Sequence, residues 1–181
     1  MKFKLISAED TAALDFINTL YISAFPEIER KPFSLILKKR ASGCADILCI
    51  TDEDGRFVGE AIVLRAGQLA LIDYFAVDPE CRNRGIGSAA LELLREKYNG
   101  MNLILEIEAA DIPCENVDQR IKRRNFYLRN SLTPMDYRVE IKGEEMEVLT
   151  FSDPVFFDDY FKIYESIFGG EVSHIVRLKQ S

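Results

Sequence analysis

Residues 71–88 join an apolar run, Leu71-Ile72-Asp73-Tyr74-Phe75-Ala76-Val77, to a helix-forming segment through a basic loop punctuated by Gly85 and Gly87. A helix N-terminus carries N–H groups without intrahelical acceptors and the positive end of the macrodipole, so this arrangement suits a bound diphosphate. Lacking a Cβ, Gly85 and Gly87 tolerate positive φ and let the N–H groups of Arg84, Gly85, Ile86, Gly87 and Ser88 point at one concavity. Arg82 and Arg84, on either side of Asn83, add charge-assisted donors of the kind that bind phosphate most strongly. Read by spacing alone, Gly85-Ile86-Gly87-Ser88-Ala89-Ala90 also fits the Gly-x-Gly-x-x-Ala dinucleotide fingerprint, with Glu106 and Glu108 near the ~20-residue offset of a ribose-binding acid. Context opposes that alternative. The polar stretch 78–84 separates the strand from the first glycine, and hairpins rather than an opening strand precede it.

The elements that must hold this loop are legible from periodicity. Ser7 with Asp10 three residues on predicts a helix N-cap, and Ala13, Phe16, Ile17, Leu20 and Ala24 follow at the helical period until Pro26. A second helix is expected over 31–40, with Pro32 in its first turn and Ser42-Gly43 at its end. Three strands, 46–51, 56–65 and 68–77, are joined by Asp52-Glu53-Asp54-Gly55 and Ala66-Gly67, which predicts an antiparallel meander. The helix after the loop should start at Gly87, bury Ile86, Ala90, Leu93, Leu94 and Tyr98, and close at Asn99-Gly100. A strand at 101–109 then completes a strand–helix–strand unit, which implies a parallel neighbour reached by a right-handed connection. Beyond it come a helix over 117–130, a strand in which Met135, Tyr137, Val139 and Ile141 alternate with polar residues, and a return strand over 146–151. A C-terminal amphipathic helix over 154–168 carries Phe156, Phe157, Tyr160, Phe161, Tyr164, Ile167 and Phe168, a stripe that suits a core or a homodimer face.

At 181 residues the chain fits one domain, 1–181, with a sizeable core. No segment approaches the ~20 apolar residues of a membrane span and the first residues turn polar too soon for a signal peptide, so a cytoplasmic protein is expected. Cys44, Cys49, Cys81 and Cys114 show no metal-ligand spacing and the single histidine, His174, lies near the tail; free thiols and no metal are expected. The net charge of −7 argues against a nucleic-acid binder and agrees with cationic amine substrates.

Arg82-Asn83-Arg84-Gly85-Ile86-Gly87 resembles the Arg/Gln-x-x-Gly-x-Gly/Ala loop of the GCN5-related N-acetyltransferases (GNAT), with a strand ending in Ala-Val before it and a long amphipathic helix after it. The resemblance extends over about 58–137 and includes Arg123-Arg124-Asn125-Phe126-Tyr127-Leu128-Arg129-Asn130; one departure is Ser131-Leu132, where many members carry Gly-Phe. It implies the acyl-CoA N-acyltransferase (GNAT) fold, an α/β (α+β) arrangement of a mixed, mostly antiparallel central sheet with a parallel splayed strand pair and flanking helices. It implies acetyl-CoA as cosubstrate, held by the loop 82–88 and by the main chain of Phe75, Ala76 and Val77, the Val77 N–H lying near the thioester carbonyl as an oxyanion donor. Asn116 matches a position that contacts the pantetheine or adenosine side. The acceptor is a small-molecule or protein amine, which must lose a proton because an alkyl ammonium has a pKa of about 10.4. Glu106 and Asp73 are equal candidates for that base, direct or through water, and Tyr127 sits where the family's general acid lies. Arg120, Lys122, Arg123, Arg124 and Arg129 read as a solvated helix face, with a contact to the CoA 3′-phosphate as the lesser alternative. The rival from another class is a non-catalytic acyl-CoA-binding or regulatory module that keeps the loop and lacks the acid/base pair.

Overall fold

The computed structural model describes residues 2–169, 172 and 175–179. Among the described residues eight strands form one mixed sheet in the order β1-β2-β3-β4-β5-β7-β6-β8, mostly antiparallel with one parallel pair and flanked by five helices. The chain folds into two compact units, Met1–Arg65 with Ile72–Asn99, and Ala66–Leu71 with Gly100–Ser181.

The first unit opens with β1 (Lys4–Ser7), α1 (Thr11–Ala24) and α2 (Phe33–Ala41), followed by β2 (Ala45–Thr51), most of β3 (Phe57–Ala66) and most of β4 (Leu69–Val77). Asp10, not Ser7, caps α1: its carboxylate accepts from the Ala13 N–H at 2.8 Å, while Ser7 is the last residue of β1. The capping pattern was met one turn later because Ser7 is already paired with Leu48 in the ladder. Ala13, Ile17 and Tyr21 of α1 and Ile36 of α2 pack on Ile47, Cys49, Ile62 and Tyr74 of the sheet. The meander register, Ile47↔Ile62 and Cys49↔Glu60, breaks at a bulge beside Ile50 and Thr51. After a single turn at Pro79–Cys81 comes α3 (Ile86–Lys97), which begins one residue before Gly87 with Gly85 as its cap and buries Leu91 as well as Ile86, Ala90 and Leu94.

The second unit holds β5 (Asn102–Glu108), α4 (Val117–Arg129), β6 (Thr133–Ile141), β7 (Glu144–Thr150), α5 (Phe157–Phe168) and β8 (Val176–Lys179). Antiparallel ladders join β5 to β7, β7 to β6 and β6 to β8. The short edge strand β8, four residues long, carries no period that its sequence alone reveals. In α5 the aromatic stripe divides: Tyr160, Ile163, Tyr164 and Ile167 are buried, whereas Phe156, just before the helix, is 81% exposed. His174 lies outside the described residues.

Candidate active site

In the first unit, the loop after β4 is anchored by apolar side chains at both ends and leaves its middle exposed. Cys81 and Ile86 are buried with Ile50, Val58 and Ala90, and Phe75 and Val77 pack against that cluster. Asp78 caps the intervening turn by accepting from the Glu80 N–H at 2.9 Å. Asn83 and Gly85 both adopt left-handed backbone, φ 62° and 75°, which curls the main chain into a concave run. The first N–H of this region to find a backbone acceptor is that of Ala89, bonded to Gly85 O at 3.1 Å. Among the described residues the N–H groups of Asn83, Arg84, Gly85, Ile86, Gly87 and Ser88 have no acceptor, and Gly85 supplies no side-chain cap. Six open donors at a helix start are what an anionic ligand satisfies. Arg82 turns back so that its Nε donates to Val77 O at 3.2 Å, and Arg84 is exposed on the loop.

The β4 face shows what Asp73 does locally. Its two oxygens take Lys31 Nζ at 2.7 and 2.9 Å, and its side chain is 5% exposed. The neighbouring Tyr74 hydroxyl accepts from the Lys31 N–H at 3.0 Å and donates to Glu29 O at 2.9 Å, while the Tyr21 hydroxyl donates to Lys31 O. Burial pushes both phenols well above their ordinary pKa, so they remain protonated donors. Tyr74 meets Tyr21 and Phe25 edge-on at 4.7 and 4.9 Å. Asp73 therefore secures the segment between α1 and α2 to the strand.

In the second unit, Glu106 is half-buried on β5 and accepts from the Tyr160 hydroxyl at 2.6 Å and from the Tyr164 hydroxyl at 2.8 and 2.9 Å. Burial, then the Glu106 charge, holds the Tyr160 pKa well above its ordinary value. These two partners escaped sequence reasoning. The stripe on α5 marked a buried face, but nothing local tells which carboxylate that face will meet. Glu108, the next residue on the same strand face, is taken by Arg120 at 3.1 Å and Arg123 at 2.5 Å. Asn116 accepts from Cys114 Sγ and from Arg120 Nε, each at 3.1 Å, at the start of α4. The basic patch is not a solvated face throughout: Arg120 is buried, and Arg124 pairs with Glu147 at 2.8 Å.

Tyr127 is 8% exposed and meets Phe126 edge-on at 5.2 Å. Its phenol has no hydrogen bond among the described residues, and burial pushes its pKa up to about 12 although Arg123 opposes the shift. The proton stays on the oxygen at neutral pH and is available for donation. Among the described residues no cluster of three or more His, Cys, Asp or Glu side chains could hold a metal ion, and no helix is long and apolar enough to cross a membrane.

Residues 14–127 match the family described as the acetyltransferase (GNAT) family. Among solved structures, a protein of Bacteroides thetaiotaomicron assigned to the GNAT family superposes with a TM-score of 0.75 at 23% identity, over 94% of this chain and all of that one. The spermidine N-acetyltransferase of Vibrio cholerae, solved with CoA and spermine, gives a TM-score of 0.63 at 11% identity over 82% and 94% of the two chains. A Desulfovibrio desulfuricans protein assigned to the same family gives 0.61 at 15% identity over 82% and 97%. At these identities the likeness is one of fold. No curated protein matches the chain significantly.

Proposed function

Since the chain belongs to the GNAT acetyltransferase family, we propose that it is an acetyl-CoA-dependent N-acetyltransferase acting on a primary amine, with 1–181 as one catalytic domain. The observation that carries this reading is the run of six unsatisfied N–H groups over 83–88, capped by left-handed Gly85 and flanked by Arg82 and Arg84. That donor set fits the diphosphate of CoA. The main chain of Phe75, Ala76 and Val77 is assigned to the pantetheine amides and to the developing oxyanion. Asn116, tied to Arg120, is assigned to the same cosubstrate. In the reaction the ammonium first gives one proton to a carboxylate, the freed amine nitrogen bonds to the thioester carbon, the C–S bond breaks as Tyr127 protonates the departing sulfur, and the second proton shed by the nitrogen restores the phenol.

Of the two carboxylates, Glu106 suits the proton-accepting role better. Asp73 is closed by a buried ion pair with Lys31, whereas Glu106 is partly exposed and held by neutral phenols. Four unpaired cysteines agree with a cytoplasmic setting.

Thermal denaturation with CoA tests the loop. Gly87 lies in the first turn of α3 without positive φ, so Gly87→Leu should fold while its side chain blocks the donors. The wild type should gain stability with CoA and the variant should not. Equal stabilisation of both would remove the loop assignment, and stabilisation by NAD but not CoA would establish the dinucleotide alternative.

A further inference from the structure

Two phenols of α5 hold the Glu106 carboxylate, and an aromatic cluster of Tyr137, Phe157 and Phe161 continues from Tyr160 in the second unit. Tyr160 and Tyr164 of α5 donate to the carboxylate, which fixes its orientation. Tyr137 of β6 packs against Tyr160 at 6.2 Å and edge-on against Phe157 at 6.0 Å, and Phe157 lies 5.7 Å from Phe161. The Tyr137 hydroxyl is buried and has no hydrogen-bond partner among the described residues. An unsatisfied buried hydroxyl costs free energy unless a ligand or water meets it. Tyr160 and Tyr164 are almost wholly buried, but Glu106, Tyr137, Phe157 and Phe161 are each partly exposed. A carboxylate at the edge of an aromatic cluster can recognise an organic cation, through charge and through the ring quadrupoles.

We propose that Glu106, Tyr137, Phe157 and Phe161 form a subsite for an alkylammonium group, with Tyr160 and Tyr164 as positioning residues that lock the carboxylate. This rests on the amine-acetyltransferase reading for its biological meaning, and it makes the acceptor an aliphatic cationic amine rather than an anionic or neutral one. The Tyr137 hydroxyl takes an N–H of a primary ammonium, which a quaternary ammonium cannot supply.

The test titrates the CoA-free protein by calorimetry with butylammonium and with butyltrimethylammonium, which cannot be acetylated. Both should bind to the wild type. Glu106→Gln should weaken both by about tenfold or more, the loss of one charge-assisted contact. Tyr137→Phe, which keeps the ring and its packing, should weaken butylammonium several-fold and leave butyltrimethylammonium unchanged, a split that a merely structural role would not produce. Tyr164→Phe should weaken both cations by freeing the carboxylate to rotate. Absence of saturable binding by either cation, or binding unaltered by Glu106→Gln, would overturn the subsite even if CoA still stabilised the protein. Cation binding that behaves as described in a protein indifferent to CoA would uphold the subsite and remove the acetyltransferase reading instead.

Discussion

Glu60 lies within β3 at 0% exposure, both carboxylate oxygens are without partners among the described residues, and burial pushes its pKa up to about 8. It is thus a neutral acid at pH 7, inserted between Gly59 and Ala61 in an apolar run and opposite Cys49, whose thiol burial pushes up to about 12. The folded protein keeps the Glu60 proton to about pH 8, whereas the unfolded chain releases it near the ordinary value of 4.5. Stability from this group is therefore complete below the unfolded pKa and falls as pH rises from there through the folded pKa, by on the order of 5 kcal/mol in total. Urea denaturation across that range should show the fall in the wild type and a flatter profile in Glu60→Gln; parallel profiles would mean that Glu60 finds a partner in solution. Tyr127 belongs to the same scale, with the opposite use of burial. Its proton is retained at neutral pH, as the proposed general acid requires, and Tyr127→Phe keeps the ring contact with Phe126. Turnover should drop roughly 10²–10⁴-fold with CoA affinity little changed. The deficit should shrink as pH rises past the ~8.5 of a thiol, because the sulfur then leaves without help. Stopped-flow measurement of the chemical step in both proteins checks this, and equal rates at neutral pH would make Tyr127 a packing residue.

At the scale of elements, β3 touches the proposed pantetheine strand through a glycine. A Cβ built on Gly59 would lie 2.7 Å from Ala76 O and 2.8 Å from Ile50 Cδ1, so the strand can approach only because that atom is missing. Gly59→Ala must push Ala76 and Val77 aside, which should cost about 1–3 kcal/mol of stability and raise the KM for acetyl-CoA more than it lowers kcat. An unchanged KM would dissociate the Ala76–Val77 main chain from cosubstrate binding. Most elements were legible from the chain because they depend on local period and punctuation. The meander shows apolar runs punctuated by Asp54-Gly55 and Ala66-Gly67, and α3 shows an apolar face between a glycine loop and Asn99-Gly100. The phosphate-type loop was legible for the same reason, being one contiguous stretch. Partnerships across long separations were not. Tyr160 and Tyr164 reach Glu106 over 54 and 58 residues, and Lys31 reaches Asp73 over 42. Periodicity says that such a side chain faces inward and leaves open what it meets. Glu60 did carry a signal, a lone acid inside an apolar strand, whose meaning depends on α1 covering that face.

For the whole molecule, the family relationship and the eight-stranded mixed sheet account for a chain that offers anion-binding donors despite a net charge of −7. The positive charge is local: among the described residues Arg82 and Arg84 make no ion pair on the loop, while Arg120, Arg123 and Arg124 are taken by Glu108 and Glu147. The acidic remainder favours approach of cationic amines and disfavours polyanions other than one seated on that loop. Whether the protein transfers acetyl groups is decided by following free thiol released from acetyl-CoA, and acetylated product by mass, across a panel of aliphatic primary amines. An N-acetyltransferase gives amine-dependent thiol release that matches acetyl-amine formed one for one and is lost in Gly87→Leu. Saturable acetyl-CoA binding with no thiol released for any amine would contradict that activity and leave a protein that binds acyl-CoA without catalysis.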